Sequence, residues 1–122
     1  MHHVEIEPMP LDRLAALLSP DRADRMAHAA ERARAVLGDR TMWHVNSTAT
    51  GGGVAEMLQA LLAYALGAGV DTRWEVLEGT PDFFRITKRL HNRLHGDVGD
   101  GGELGPDERA LYEEVLAENL EV

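Results

Sequence analysis

The residues best placed to do chemistry form one run, Asn46-Ser47-Thr48-Ala49-Thr50-Gly51-Gly52-Gly53, directly ahead of a strongly helical stretch. Consecutive glycines let a backbone approach a ligand closely, and the free N–H groups of a first helical turn attract negative charge. A strand, a glycine loop and a helix in that order make a shape suited to phosphate. The spacing matches neither of the two best-known loops of this kind. A Walker loop needs Gly-x-x-x-x-Gly-Lys, and no lysine lies near these glycines. The dinucleotide pattern Gly-x-Gly-x-x-Gly fails because Glu56 stands where its last glycine would fall. By spacing alone, the triplet fits a ligand-free turn equally well.

Other polar residues carry weaker signals. His91 and His95 are one helical turn apart, a spacing compatible with two metal ligands, but no third or fourth ligand accompanies them. They read as a partly buried polar pair, and neither a metal nor another cofactor is expected. His44 falls in a strand and reads as a packing residue. Glu56 suits the positive end of a helix dipole and would repel a phosphate, so its role reads as structural or sugar-directed before catalytic. Arg85, Lys88, Arg89 and Arg93 give one helix a basic surface on an acidic chain. That surface is either a solvated face or the source of a cation aimed at a ligand. Between Gly96 and Pro106 the acidic glycine-rich run lacks the glutamate-closed twelve-residue calcium register and reads as a mobile loop.

The glycine run needs a strand before it and a helix behind it. Thr41–Val45 suits the strand. From Val54 the pattern Val54, Met57, Leu58, Leu61, Leu62, Ala65 marks one face of the helix. Gly67 and Gly69 stop it, and Arg73–Leu77 makes a second strand. Strand, helix and strand predict a right-handed crossover with parallel strands, whose ligands gather at the C-terminal strand ends. Both polar loops, Asn46–Gly53 and Glu78-Gly79-Thr80, are expected at that edge, facing one site. Thr80 as cap, Pro81 in the first turn and Asp82 near the dipole begin a helix to about His95, with Phe83, Ile86, Leu90 and Leu94 inward. Upstream, Val4–Glu7 alternates like an edge strand, and Leu11–Leu18 reads as a short helix stopped near Ser19-Pro20. Asp21 is the expected cap of a helix over 22–37 with a small apolar face of Ala23, Met26, Ala27, Ala30, Ala33, Val36 and Leu37. A last helix over 107–122 presents Leu111, Tyr112, Val115, Leu116 and Leu120. The fold class is α/β, with a short parallel sheet flanked by helices.

Composition limits what such a chain does. Its 122 residues, 44% of them hydrophobic, suffice for one modest domain. A net charge of −9 argues against nucleic acid or an anionic membrane as partner. Cysteine is absent, so disulfide and thiolate chemistry are excluded. No apolar run approaches a spanning helix and no signal-peptide pattern opens the chain, which makes a cytoplasmic location the expectation.

Two longer blocks, HVNSTATGGGVAEML and WEVLEGTPDFFRITKRLHNRLHG, closely resemble the N-terminal region of trehalose synthases of the glycosyltransferring type. The resemblance runs from about Pro8 to about Leu120. Those enzymes are retaining glycosyltransferases of the two-domain GT-B, family 4-like kind, joining a nucleotide-activated glucose to free glucose. It implies an incomplete Rossmann-like domain: an N-terminal extension over 1–40, a β-α-β-α core over 41–96, the loop over 97–106 and a C-terminal helix over 107–122. It further implies that Gly51, Gly52 and Gly53 approach the donor's diphosphate. Asn46, Ser47, Thr48 and Thr50, with His91 and Asn92 as lesser candidates, would then bind sugar hydroxyls. The implied partners are nucleoside diphosphate glucose and glucose or trehalose. Catalytic residues are not assigned, and catalysis by this chain alone is not expected, because the donor-binding domain is missing. Two core strands leave sheet edges open, to be covered by a second copy or by a C-terminal domain. A non-catalytic sugar- or phosphate-binding, self-associating module is the alternative. A different phosphate-binding enzyme sharing only the glycine loop is a third reading, against which the second block stands.

Overall fold

Trp74 has no exposed surface, and the first half of the chain is arranged around it. In the computed structural model, which describes residues 1–120, it lies at the middle of strand β3 (Thr72–Val76). Strand β2 (Met42–Asn46) runs parallel to β3, with Met42 opposite Thr72 and Asn46 opposite Val76. Helix α3 (Gly53–Gly67) connects the two and lays Ala55, Leu58 and Leu62 over Trp74 and Val76. Burial of these apolar side chains supplies the driving force for the unit. On its other side β3 pairs antiparallel with β1 (His2–His3), so the sheet is mixed, in the order β1-β3-β2. With α1 (Leu11–Ala15) and α2 (Pro20–Leu37), these elements form a compact unit over His2–Val76. A second unit begins at Leu77, includes Met1, and contains α4 (Pro81–Leu94) and α5 (Pro106–Leu120). Among the described residues the architecture is therefore α/β, with a small three-stranded sheet and five helices.

The N-terminal arm departs from the expected strand over Val4–Glu7. Pairing involves His2 and His3, extended by the Val4 N–H donating to the Trp74 carbonyl at 2.9 Å. Val4 and Ile6 then turn onto the core instead of continuing the ladder. The Met9 N–H reaches the Ala63 carbonyl at 2.8 Å, which carries the arm across α3. The arm comes so close that a Cβ on Gly67 would lie 1.9 Å from the Met9 carbonyl oxygen.

Pro20 starts a helix where the sequence reading had one stop. Its fixed φ suits the first helical turn, and the extended Ser19 precedes it as N-cap without a side-chain bond. Asp21, the expected cap, lies inside the first turn. Helix α3 also sits differently on the sheet. Of the expected inward face, Leu58 and Leu62 are buried, whereas Val54, Met57 and Leu61 are more than half exposed. Ala55 and Ala63 are buried instead, because a helix apolar around most of its circumference can turn several faces inward.

In the second unit, Thr80 caps α4 by accepting the Phe83 N–H at 3.2 Å, with Pro81 and Asp82 in the first turn as the sequence predicts. Phe83 is buried and stacks on Tyr112 of α5, ring centroids 5.6 Å apart. The inward stripe of α4 ends early: Ile86 is buried, but Leu90 and Leu94 are exposed. On α5, Val115 and Asn119 are buried and Leu120 is exposed. The last two residues of the expected 107–122 helix lie outside the described residues. Among those residues, no helix is long and apolar enough to cross a membrane.

Candidate glycine-loop site

The loop between β2 and α3 brings Asn46, Ser47, Thr48, Thr50 and the three glycines into one continuous turn at the end of β2. Its root is fixed by the core. The buried Trp74 indole N–H donates to Asn46 Oδ1 at 3.0 Å, so the first polar residue of the loop is locked to the central strand. Nothing in the sequence pairs these two residues; only the register that sets Asn46 beside Val76 brings them together. Further along, the Thr50 N–H donates to Thr48 Oγ1 at 3.2 Å, and the Thr48 hydroxyl donates to the Thr50 carbonyl. This local turn shapes the backbone ahead of the glycines.

Gly51 and Gly52 have φ of +73° and +106°, a region that side chains disfavour. A Cβ at Gly51, Gly52 or Gly53 would meet nothing within 4 Å, so the backbone here lies open. Gly52 serves as N-cap of α3, and no side chain caps that end. The first helical bond runs from the Glu56 N–H to the Gly52 carbonyl, which leaves the N–H groups of the preceding turn outside the helical ladder. Glu56 is exposed in the same turn. Together these features give an open, donor-rich backbone concentrated at the positive end of a helix.

Concave volume in the first unit lies away from this loop. A cavity of about 460 Å³ runs between the N-terminal arm and β3, lined among others by His3, Ile6, Leu66, Arg73 and Glu75. His3 Nδ1 and the buried Glu75 carboxylate are 2.8 Å apart there, tying β1 to β3. His44 is half-buried on β2, and its Nε2 is shielded with no hydrogen-bond partner.

His91 and Asn92 belong to the second unit, so the structure does not join them to the glycine loop in one compact body. His91 is exposed and meets His95 edge to face, ring centroids 4.4 Å apart. The Asn92 carbonyl accepts from the His95 and Asp97 N–H groups, and its side chain underlies Gly99. The basic surface of α4 is largely engaged. Arg85 pairs with Asp82 at 2.7 Å, Arg89 Nε donates to Asp100 at 2.8 Å, and Arg93 donates to the Gly102 carbonyl at 2.8 Å. The hydrogen bond to Asp100 raises the Arg89 pKa; the same bond, with one from the Gly102 N–H, holds Asp100 below the usual carboxylate range. Arg89 and Arg93 therefore hold the 97–106 loop against α4. Sequence reasoning also missed Asn119: its amide accepts from the Glu78 N–H at 2.9 Å and donates to the Glu78 carbonyl at 2.8 Å, fixing the chain just before Thr80.

Residues 44–122 match the family described as "Trehalose synthase, N-terminal domain". The chain is 44% identical to the trehalose synthase of Pyrococcus furiosus over 85 residues, covering 70% of this chain and 20% of that protein. With the trehalose synthase of Pyrococcus horikoshii it shares 35% identity over 109 residues, 89% of this chain and 25% of the other. Similarity extends to a trehalose phosphorylase of Pleurotus pulmonarius, 34% identical over 74 residues, 61% of this chain and 10% of that protein. The chain thus spans a fifth to a quarter of the length of these trehalose synthases.

Proposed function

Because the chain belongs to the trehalose synthase N-terminal domain family, we propose that it supplies the acceptor side and the diphosphate loop of a trehalose-forming glucosyl transfer. In that reaction the bond between the glucose anomeric carbon and the diphosphate breaks. A bond to a hydroxyl of a second glucose forms with retained configuration, and the hydroxyl proton leaves. The first unit is read as the opening of a Rossmann-like GT-B domain. The observation that carries the reading is the open glycine backbone at the uncapped start of α3. N–H groups fixed in advance beside a departing diphosphate stabilise the charge that develops on it. Asn46 keeps its amide N–H groups for a sugar hydroxyl while its oxygen holds Trp74. Ser47, Thr48 and Thr50 follow as hydroxyl partners. The donor nucleotide would be gripped by a domain outside these residues, so this chain binds but does not turn over by itself.

The test is a titration of the 122-residue chain, followed by nuclear magnetic resonance, with glucose, trehalose, UDP-glucose and ADP-glucose in turn. Shifts confined to Asn46–Gly53 on adding a nucleotide sugar are expected. Gly53→Ala should remove them while preserving the fold, since Gly53 has no positive φ and a methyl there meets open space. A nucleotide-sugar response that survives Gly53→Ala unchanged, or one located away from the loop, would overturn the assignment.

A further inference from the structure

The 97–106 loop contains two turns of the same kind, built around different residues. Asp97 Oδ1 accepts from the Gly99 N–H at 2.9 Å, and Asp100 Oδ1 accepts from the Gly102 N–H at 3.0 Å. Each bond folds an aspartate side chain forward over the backbone of the residue that follows it. That residue is Val98 in the first turn and Gly101 in the second. A carboxyl folded over in this way is an electrophile set beside the next backbone nitrogen. Attack by that nitrogen on the carboxyl carbon closes a succinimide ring, provided the nitrogen is not crowded. The branched Val98 side chain crowds its own nitrogen, whereas Gly101 has no side chain. Asp100-Gly101 is the one Asp–Gly step in the chain, and no Asn–Gly step occurs. Asp100 and Gly101 are both exposed, so water reaches such a ring.

We propose that Asp100 is a site of spontaneous isomerisation to isoaspartate, and that Arg89 of α4 restrains it. In the first step the Gly101 nitrogen bonds to the Asp100 side-chain carboxyl carbon. The C–OH bond breaks, and water leaves with the proton of that nitrogen. Water then adds to either carbonyl of the ring and reopens it. Opening at the former main-chain carbonyl carries the backbone through the side-chain carbon and leaves the α-carboxylate pendant. Water is the sole co-reactant. The neutral acid loses water readily and the carboxylate does not, so whatever keeps Asp100 ionised slows the reaction. Arg89 does this, since its Nε donates to both carboxylate oxygens, at 2.8 and 2.9 Å. That bond, the Gly102 N–H and the charges of Arg89 and Arg85 hold the Asp100 pKa down. Arg89 also faces Glu108 of α5 at 3.9 Å, and Arg93 is engaged by the Gly102 carbonyl. Isomerisation adds a carbon to the main chain and moves the carboxylate. It thereby breaks both the Arg89 pair and the turn at Gly102, and the loop loses its tie to α4 through Arg89.

Warm storage of the 122-residue chain at about pH 5 and about pH 7, followed by peptide mapping with electron-transfer fragmentation, tests this. Isoaspartate is expected at position 100 and not at 97. It should form faster at the lower pH, where more of the carboxyl is protonated. Arg89→Gln should speed it about 2–5-fold, the scale of an exposed ion pair, with an unchanged far-ultraviolet spectrum. If Arg89→Gln does not fold, Asp100→Asn takes its place. That variant removes the charge and should close the same ring, with ammonia leaving, faster than the wild-type acid loses water. An unaltered position 100, equal isomerisation at 97 and 100, or a rate indifferent to Arg89→Gln would overturn the proposal. So would an amide that survives storage intact in Asp100→Asn.

Discussion

Asn46→Ala is the sharpest probe of how the glycine loop is held. The substitution takes away the acceptor 3.0 Å from the indole N–H of Trp74, a side chain with no exposed surface. A buried donor left without a partner costs about 1–3 kcal/mol, more than the net value of the bond itself. Taking ~2 kcal/mol and an unfolding entropy of about 2.1 cal/mol/K per residue, the thermal midpoint should fall by roughly 8–13 °C. The upper figure corresponds to cooperative unfolding of the His2–Val76 unit alone and the lower to the whole chain. Asn46→Asp keeps an acceptor oxygen in place and should stay within about 0.5 kcal/mol of wild type, although it removes the N–H donors offered to a sugar. Circular dichroism melts of both variants, and of each combined with Trp74→Phe, give the coupling. Asn46→Ala should cost much less once the indole donor is gone, with a coupling of ~1–2 kcal/mol. A midpoint within about 2 °C of wild type, or fully additive losses, would refute the lock.

Gly67→Ala should destabilise by ~1–3 kcal/mol although alanine is the better helix former, because the new methyl meets the Met9 carbonyl at 1.9 Å. Faster exchange of the Met9 amide would report the displaced arm. Leu58→Ala should cost about 2–4 kcal/mol in a chemical denaturation series, and Leu61→Ala less than ~1, since Leu58 is buried and Leu61 is 52% exposed. Equal losses would mean that α3 is rotated from the orientation described. Acid should loosen the second unit around the 97–106 loop. Asp100 and Glu108 are held below the usual carboxylate range, Asp100 by Arg89 and the Gly102 N–H, Glu108 chiefly by its own backbone N–H and then by that of Gly105. A lowered folded pKa gives a contribution present in full above the ordinary range and lost as pH falls through the lowered value, hence below about pH 4. Carboxyl carbon titrations should show both midpoints below those of the unfolded chain; ordinary midpoints would contradict the pairing.

The parts of the fold legible in the sequence were those written in local chemistry. Thr80-Pro81-Asp82 announces its helix because cap, first-turn proline and dipole partner are all side-chain properties of adjacent residues. The strand, glycine loop, helix and strand order over residues 42–76 was legible for the same reason. What the sequence concealed depends on contacts between distant residues. Asn46 and Trp74 meet across two strands, and Asn119 reaches back to Glu78 over 41 positions. The paired segment His2–His3 has almost no strand signal of its own; it is fixed by the edge of β3. The charged face of α4 misled for a related reason. Arg89 and Arg93 resemble ligand cations in sequence, and their partners are a carboxylate and a carbonyl brought close by the folding back of the 97–106 loop.

Helix α3 shows why periodicity alone could not place the core. Apolar residues occupy so much of its circumference that two neighbouring faces, one centred on Leu58 and Leu62 and one on Val54, Met57 and Leu61, satisfy the same 3.6-residue repeat. Trp74 decides between them, since α3 packs on β3 more extensively than on β2 and must cover that indole. The face left over belongs to the flank away from the N-terminal arm, and the strand edge left over belongs to β2. A surplus apolar flank and an unprotected strand edge are one physical problem, because apolar area and unpaired backbone both gain from an added strand and the cover above it. The glycine loop begins at the end of that same strand. Whatever covers the edge will therefore restrain the loop from its root.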